Sequence, residues 1–314
     1  MTNVNLSVDI GSLRLKNPIM PASGTFAERI CDVIDINRLG AIVTKTITKD
    51  KREGNPPPRI AEFANATLFS IGIPSKGLDH YVNEVVPFYK GYAPPLIASI
   101  SADSVEEFGE LAALISVPGV VGIEANISCP NLKKDGKAFG VEAQTTHDVI
   151  QAMVSATSLP IWAKLTPNAT NIVETALAAE EAGAEALVVA NAILGMSIDP
   201  ETFLPRVANV TGGLTGPALK PVLLRMAHQC SKAVSIPIIG CGGISTANDV
   251  IEYLLAGASA VQIGTANFIS PHAMIHALDK LEEFCIRHDV SEVSQLTGAM
   301  HAHKPLLFGN INTF

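Results

Sequence analysis

A thiol placed between two amide side chains is the feature of this sequence that most directly suggests chemistry. In the stretch GIEANISCPN at residues 122–131, Cys129 stands between Asn126 and Asn131. The residues before this group are mostly apolar and typical of a buried strand, which Pro130 ends. A thiol can serve as a nucleophile or a base, and amides can hold a planar polar ligand. A small core cysteine in a turn is the structural alternative.

Composition narrows the class of protein that could carry this group. The 314 residues are 47% hydrophobic and 17% charged, which is typical of a soluble protein with a large core. The formal net charge of -8 disfavours nucleic acid as a partner, because phosphate neutralisation requires clustered Lys and Arg. No uninterrupted apolar run approaches the roughly 20 residues that a membrane span needs. The N-terminal residues also lack the basic and apolar regions of a signal peptide, so no membrane association is expected.

The cysteine content indicates the compartment. Five cysteines are scattered along the chain, and no two of them have Cys-x-x-Cys spacing. An odd, dispersed set argues against a disulfide framework and favours a reducing, cytoplasmic location. The chain is therefore not expected to hold its own iron–sulfur cluster or structural zinc, and no metal site is predicted.

Alternating apolar strands and helical periodicity predict the fold. Eight short strands, each apolar enough to be buried on both faces, indicate a closed parallel sheet wrapped by helices. Residues 1–314 are predicted to form one α/β domain, a (β/α)8 TIM barrel with an N-terminal β-hairpin at 4–16 and insertions at 49–94 and 201–216 on its C-terminal face. The predicted strands are 18–23, 41–46, 96–101, 122–128, 161–165, 186–191, 236–240 and 260–264, and the clearest helices are 104–115, 146–157, 171–182, 217–233, 246–255 and 271–284.

Glycines follow the last two predicted strands. In a barrel the residues just past each strand share one site, and the loops after strands seven and eight commonly bind phosphate through backbone N–H groups. Here those loops contain Gly242, Gly243, Gly264 and Thr265, and residues 211–216 supply a third glycine-rich stretch before a helix. Together they predict a phosphate-bearing ligand.

Two lysines lie near the ends of apolar strands. Lys45 and Lys164 would each place an ammonium group in or near the barrel interior, where an unpaired charge is costly. A ligand with negative charge would compensate them, and a flavin meets this requirement because it carries both a phosphate and a ring that is charged when reduced. Schiff-base chemistry of a barrel lyase or aldolase is the competing use of such a lysine.

Several motifs resemble those of class 1 dihydroorotate dehydrogenases. The resemblance extends from about residue 5 to residue 290. It implies a barrel that binds flavin mononucleotide (FMN) and oxidises dihydroorotate to orotate in pyrimidine biosynthesis. The motifs are NPIMPASG at 17–24, TKT at 44–46, KREGNP at 51–56, NISCPN at 126–131, KLTPN at 164–168, GGLTGP at 212–217, IGCGGI at 239–244 and IGT at 263–265.

The resemblance also implies roles for individual residues. Cys129 would be the catalytic base that takes the proton from C5 of the substrate, while C6 delivers hydride to flavin N5. Asn126, Asn131 and Asn191 would hold the pyrimidine ring, near Phe69. The residues implied to contact FMN are Ser23, Lys45, Thr46, Ser99, Asn126, Lys164, Gly216, Gly242, Gly243, Gly264 and Thr265.

Three positions depart from the family pattern. Phe69 and Ser75 stand where asparagines are usual, and Ala192 stands where a hydroxyl is usual. A site without those polar groups should bind dihydroorotate less well or prefer a ring with fewer polar edges. A related FMN oxidoreductase acting on another cyclic amide or dihydropyrimidine is therefore the second hypothesis.

The resemblance leaves the subclass and the partners open. Residues 51–56 resemble those of fumarate-using homodimers, whereas residues 164–168 and 194–196 resemble those of heterotetramers with an iron–sulfur/FAD subunit. We expect a homodimer, with or without such an electron-transfer subunit. A flavin-binding subunit that serves mainly as a scaffold in a larger complex is a further alternative.

Overall fold

The computed structural model describes residues 4–128 and 139–301. Its strands are β1 (Val8–Ile10), β2 (Leu13–Leu15), β3 (Ile19–Pro21), β4 (Ile42–Val43), β5 (Ile60–Phe63), β6 (Ala66–Phe69), β7 (Leu96–Ile100), β8 (Val120–Asn126), β9 (Ile161–Lys164), β10 (Ala186–Val189), β11 (Ile193–Met196), β12 (Ile198–Asp199), β13 (Leu204–Pro205), β14 (Thr211–Thr215), β15 (Ile238–Cys241) and β16 (Ala260–Ile263). Its α-helices are α1 (Leu78–His80), α2 (Val86–Tyr89), α3 (Val105–Ile115), α4 (Ala143–Ala156), α5 (Ile172–Glu181), α6 (Lys220–Ala233), α7 (Ala247–Ala256), α8 (Ala266–Ile269) and α9 (Ala273–Arg287).

Eight of these strands form the barrel. They lie parallel in the order β3, β16, β15, β10, β9, β8, β7, β4. The N–H of Gly40, just before β4, donates to the carbonyl oxygen of Ile19 in β3 at 2.8 Å, which brings the two ends of the sheet together. Every residue of β9, β10, β15 and β16 is buried, because one face meets the barrel interior and the other meets the helices. The predicted (β/α)8 fold is confirmed.

Side-chain caps mark the starts of helices α3 and α7. The Ser104 side chain accepts a hydrogen bond from the N–H of Glu107 at the start of α3. Thr246 and Asp249 form a reciprocal capping box at the start of α7. Such caps satisfy backbone donors that have no partner inside the helix. No helix within the described residues combines the length and the apolar character that a bilayer crossing requires.

The N-terminal hairpin lies against the end of the barrel opposite the predicted site. β1 and β2 pair antiparallel, as predicted. The N–H of Ser12, in their turn, donates to the carboxylate of Glu185 at 2.6 Å, and Glu185 immediately precedes β10. The hairpin therefore covers the N-terminal ends of the strands.

The two insertions meet at the C-terminal face. β5 and β6 from the first and β14 from the second join β11 in a four-stranded antiparallel sheet, in the order β11, β14, β6, β5. Phe69 of β6 is paired with Gly213 of β14. Because β11 follows barrel strand β10 after a short turn, this sheet stands beside the mouth of the barrel and forms one wall of the cavity there.

Candidate active site

A cavity of about 520 Å³ opens at the C-terminal ends of the strands. Its volume is in the range of pockets that bind cofactors and small molecules. Residues from barrel strands and from both insertions line it, whereas Gly216, Gly242, Gly243, Gly264 and Thr265 are not among its lining residues. The predicted residues among its lining are Ser23, Lys45, Thr46, Phe69, Asn126, Lys164 and Asn191.

Amide and hydroxyl groups cluster in this cavity. The Oδ1 of Asn126 accepts hydrogen bonds from Ser128 Oγ at 2.8 Å and from Asn191 Nδ2 at 3.4 Å. Asn191 Nδ2 also donates to Ser128 Oγ. The sequence prediction placed Asn126 and Asn191 together but did not assign Ser128 a role. Cys129 and Asn131 lie outside the described residues, so their predicted roles stay predictions.

Lys164 is deeply buried and already has a counter-ion. Its side chain is 4% exposed, and Nζ lies 3.6 Å from Oε1 of Glu124, which is fully buried. The same ammonium donates to Gln262 Oε1 at 3.0 Å and to Ser23 Oγ at 3.3 Å. The barrel interior thus supplies a carboxylate for Lys164, a partner that the sequence analysis did not identify.

One predicted contact lies below the cavity. Ser99 is fully buried, and its hydroxyl bonds to Thr46 Oγ1 at 3.0 Å and to Glu124 Oε1 at 3.1 Å. Thr46, in turn, lines the cavity. Ser99 therefore supports a lining residue and is not itself part of the cavity wall.

One described thiol, that of Cys241, interacts electrostatically with Lys164 and Glu124. Cys241, at the end of β15, is buried, and this burial raises the pKa of its thiol, with the nearby Lys164 ammonium opposing the effect. A protonated, buried thiol is a poor base or nucleophile. Cys241 is therefore a weaker candidate for the catalytic base than Cys129.

Part of the cavity wall is apolar. A Cβ added to Gly213 would lie 3.4 Å from two ring carbons of Phe69 and 2.7 Å from the Cβ of Ala192. Phe69, Ala192 and Gly213 therefore pack together, and all three line the cavity. Two of these three residues, Phe69 and Ala192, are positions at which the sequence departs from the family pattern.

The loop after β6 has a backbone suited to anions. Gly72 and Ile73 have φ angles of 78° and 48°, in the left-handed region that β-branched residues rarely adopt. Residues 71–73 line the cavity. No described group accepts a hydrogen bond from the N–H of Ile71, Gly72 or Ile73. Successive backbone N–H groups of this kind form concave anion sites. The sequence analysis missed this feature because side-chain type does not reveal it.

The glycine-rich stretches also meet. The hydroxyls of Thr215 and Thr265 are 3.1 Å apart. A Cβ added to Gly243 would lie 2.6 Å from the backbone nitrogen of Lys220. Gly216, with a φ of 117°, follows Thr215 and begins the turn that leads to Lys220. The loops after β14, β15 and β16 therefore form one surface.

That surface offers backbone donors. Within the described residues, no group accepts a hydrogen bond from the N–H of Gly242, Gly243, Gly264 or Thr265. The hydroxyl of Tyr253 donates to the carbonyl oxygen of Gly242 at 2.8 Å, which holds this loop in place. These four residues are partly exposed, and backbone N–H groups in the two loops where barrels bind phosphate match the chemistry of a phosphate group.

Comparison with known proteins identifies the family. The dihydroorotate dehydrogenase family profile matches residues 5–285. The chain belongs to the dihydroorotate dehydrogenase family. A dihydroorotate dehydrogenase B (NAD(+)) catalytic subunit from Desulforamulus reducens is 45% identical over 301 residues, covering 95% of this chain and 99% of the relative.

Two further dihydroorotate dehydrogenases have the same extent of similarity. The catalytic subunit of dihydroorotate dehydrogenase B (NAD(+)) from Bacteroides fragilis is 45% identical and covers 94% of this chain and 99% of the relative. The corresponding subunit from Geotalea uraniireducens is 43% identical, and the match covers 96% of this chain and 99% of the relative. The resemblance inferred from the motifs is confirmed at the level of the family, and the chain is that of an oxidoreductase.

Proposed function

We propose that this protein oxidises dihydroorotate to orotate with FMN as its cofactor. The observation that carries the proposal is the pairing, in one cavity, of an anion site with an amide cluster. The loop at residues 71–73 and the Lys45 side chain suit a carboxylate, and Asn126 and Asn191 suit the amide edge of a ring. Dihydroorotate is a cyclic amide that carries one carboxylate.

The described residues suit FMN. The N–H groups of Gly242, Gly243, Gly264 and Thr265 would hold its phosphate. Ser23, Lys45, Thr46, Asn126 and Lys164 line the cavity in which its ring would lie, with Ser99 beneath Thr46 and Gly216 beside the phosphate loops. Bound FMN would supply the acceptor for the hydride that leaves C6 of dihydroorotate.

The remaining chemistry belongs to the side chains. Asn126, Asn191 and, we propose, Asn131 orient the ring through its amide groups. Cys129 takes the proton from C5 as a thiolate. Ser128 precedes Cys129 in the chain and is fixed by its hydrogen bond to Asn126.

A direct assay tests the proposal. Purified protein is incubated with dihydroorotate and an artificial electron-accepting dye, and orotate is measured by its ultraviolet absorption. We expect orotate to form in proportion to dye reduction. Absence of orotate from protein that contains its flavin would refute dihydroorotate as the substrate. Borohydride trapping in the presence of a carbonyl substrate tests the competing Schiff-base lyase, which would form a covalent adduct at Lys45 or Lys164.

The apolar wall favours a second candidate, oxidation or reduction of a less polar cyclic amide. Phe69 and Ala192 supply no hydrogen bond to a polar ring substituent. Dihydrouracil, which lacks the carboxylate, serves as the probe for this candidate. A kcat/KM higher for dihydrouracil than for dihydroorotate would favour it over the first proposal.

Restoring an amide in the wall should improve dihydroorotate binding. We expect Phe69→Asn to lower the KM for dihydroorotate by about 3- to 10-fold, the effect of one added hydrogen bond. Phe63→Asn is the matched control, because Phe63 lies in the same small sheet, is 45% exposed and does not line the cavity. Steady-state kinetics of the wild type and both variants measure the KM for dihydroorotate. An unchanged or higher KM in Phe69→Asn would contradict a role for this wall in substrate binding.

Removing an amide from the cluster should have the opposite effect. We expect Asn191→Ala to lower kcat/KM for dihydroorotate by about 10- to 100-fold, because the ring loses a partner and Asn126 loses a neighbour. Flavin content, read from the visible spectrum, should stay at the wild-type level. Wild-type kinetics in this variant would remove Asn191 from the proposed substrate site.

We propose that an electron-transfer subunit reoxidises the flavin in a cytoplasmic complex built on a homodimer of this chain. The relatives are named as catalytic subunits of NAD(+)-dependent enzymes, which supports a partner in their case. An iron–sulfur/FAD protein that co-purifies with the chain from its native source and couples orotate formation to NAD+ reduction would support the same arrangement here. Efficient turnover of the isolated chain with fumarate would contradict it.

A further inference from the structure

The barrel interior below the cavity contains a polar layer that the proposed reaction does not use. Glu124 of β8 and Gln262 of β16 are both fully buried, and neither lines the cavity. Both stand in strands whose neighbouring side chains are apolar. Burying a carboxylate this completely is costly unless it is paired and hydrogen-bonded.

The carboxylate has a full set of donors. Glu124 Oε2 accepts from Gln262 Nε2 at 2.6 Å, and Oε1 accepts from Ser99 Oγ at 3.1 Å. Lys164 Nζ lies 3.6 Å from Oε1. Gln262 also accepts from Lys164 at 3.0 Å, so its amide bridges the carboxylate and the ammonium. Lys164 is thereby held in one position by two side chains from below.

A second chain of hydrogen bonds runs from Glu124 to the amide cluster. The Ser99 hydroxyl uses its one proton to donate to Glu124. The Ser99 Oγ atom must therefore accept the hydrogen bond from Thr46, whose Oγ1 lies 3.0 Å away. Thr46 Oγ1 then accepts from Asn126 Nδ2 at 3.1 Å. The order of donors leaves Asn126 Oδ1 facing Ser128 and Asn191. The Glu124 carboxylate, which can only accept hydrogen bonds, thus determines the orientation of the Asn126 amide through Ser99 and Thr46.

We propose that Glu124 is a positioning residue that acts through Lys164 and sets the reduction potential of the flavin above it. This inference rests on the proposed function, because it requires FMN in the cavity. Glu124 offsets the Lys164 charge in the oxidised enzyme and holds the ammonium against the cavity floor. A buried charge pair is screened far less than a surface pair, so loss of either partner changes the field at the ring.

The test is the midpoint potential of bound FMN, measured by anaerobic reductive titration with a reference dye. In Glu124→Gln, Lys164 loses its compensating charge, so the negative charge of the reduced flavin is favoured. We expect the equilibrium constant for two-electron reduction to rise at least tenfold, a positive shift of about 30 mV. Lys164→Gln leaves Glu124 uncompensated and should shift the potential in the opposite direction.

Glu180→Gln is the matched control. The Glu180 carboxylate also accepts three hydrogen bonds, from Ser235 and Ile236. These partners lie just before β15, so Glu180 lies at the N-terminal end of the barrel. Like Glu124→Gln, this substitution removes one negative charge from a hydrogen-bonded carboxylate, but Glu180 does not line the cavity. The flavin potential of Glu180→Gln should equal that of the wild type.

Each outcome is decisive. An unchanged potential in FMN-loaded Glu124→Gln, or a shift in the same direction as in Lys164→Gln, would overturn the proposal. If Glu124→Gln does not fold, Glu124→Asp replaces it. The shorter side chain keeps its charge but places it farther from Lys164, so we expect a smaller positive shift of the flavin potential. An unchanged potential in Glu124→Asp would count against the proposal. Wild-type protein that binds no FMN would instead refute the proposed function.

Discussion

Replacement of Cys129 by Ala is expected to slow the reduction of bound flavin by dihydroorotate about 10²- to 10⁴-fold, the usual contribution of a positioned general base. Flavin binding should be unaffected, because Cys129 is not among the residues proposed to contact FMN. Anaerobic stopped-flow mixing of the FMN-loaded variant with dihydroorotate measures the rate. Wild-type reduction kinetics would exclude Cys129 as the base.

The pH dependence provides an independent check of the same residue. An ordinary thiol has a pKa of about 8.5, so only a few per cent is thiolate near neutral pH. Because the thiolate is the active form, the reduction rate should rise as pH increases through that value and then level off. The Cys129→Ser variant should lose this profile. A profile shared by the wild type and Cys129→Ser would assign the titration to another group.

Gly243→Ala is expected to weaken FMN binding at least tenfold. Gly243 has a φ of 70°, and an added Cβ would meet the backbone of Lys220 at 2.6 Å, so the phosphate loop must move. A displaced loop would lose hydrogen bonds to the phosphate, and each 1.4 kcal/mol of lost binding free energy is about tenfold in affinity. Titration of apoprotein with FMN, followed by quenching of flavin fluorescence, measures the change.

Gly298→Ala separates loop displacement from backbone strain. Gly298 has a φ of 71°, but an added Cβ there would have no atom within 4 Å. It carries the same conformational penalty without the steric one and lies outside the proposed site. FMN affinity should be normal in Gly298→Ala. Equal affinities in the two variants, both folded by circular dichroism, would contradict the placement of the phosphate at Gly243.

Much of the barrel could be predicted because its rules are local. Each predicted strand and helix is present, with ends that differ by a few residues. Parallel strands buried on both faces appear in the sequence as short apolar runs, and helix starts are marked by side chains such as those of Ser104 and Thr246. The C-terminal ends of such strands must meet, which is why Ser23, Lys45 and Lys164 could be assigned to one cavity from sequence alone.

Contacts across the barrel could not be predicted. Gln262 lies 138 residues from Glu124 in sequence, yet their side chains are 2.6 Å apart. A charged residue inside an apolar strand was the available signal for Glu124, but nothing in the sequence shows which side chain will meet it. The pairing of Lys164 therefore appears only in the structure.

Backbone conformation was equally inaccessible. Ile73 is a β-branched residue with a φ of 48°, a conformation opposed by its side chain and imposed by its surroundings. The anion site proposed at residues 71–73 rests on that backbone and not on side-chain chemistry. Phe69 could be identified in the sequence as a departure, whereas its packing with Ala192 and Gly213 required the paired strands β6 and β14.

The most direct test of the account is a single anaerobic mixing experiment. Purified protein should be yellow, with the visible absorption of bound FMN, and addition of dihydroorotate should bleach that absorption within one turnover while orotate appears in equal amount. Protein that remains colourless when FMN is supplied, or that stays yellow in the presence of dihydroorotate, would contradict the account.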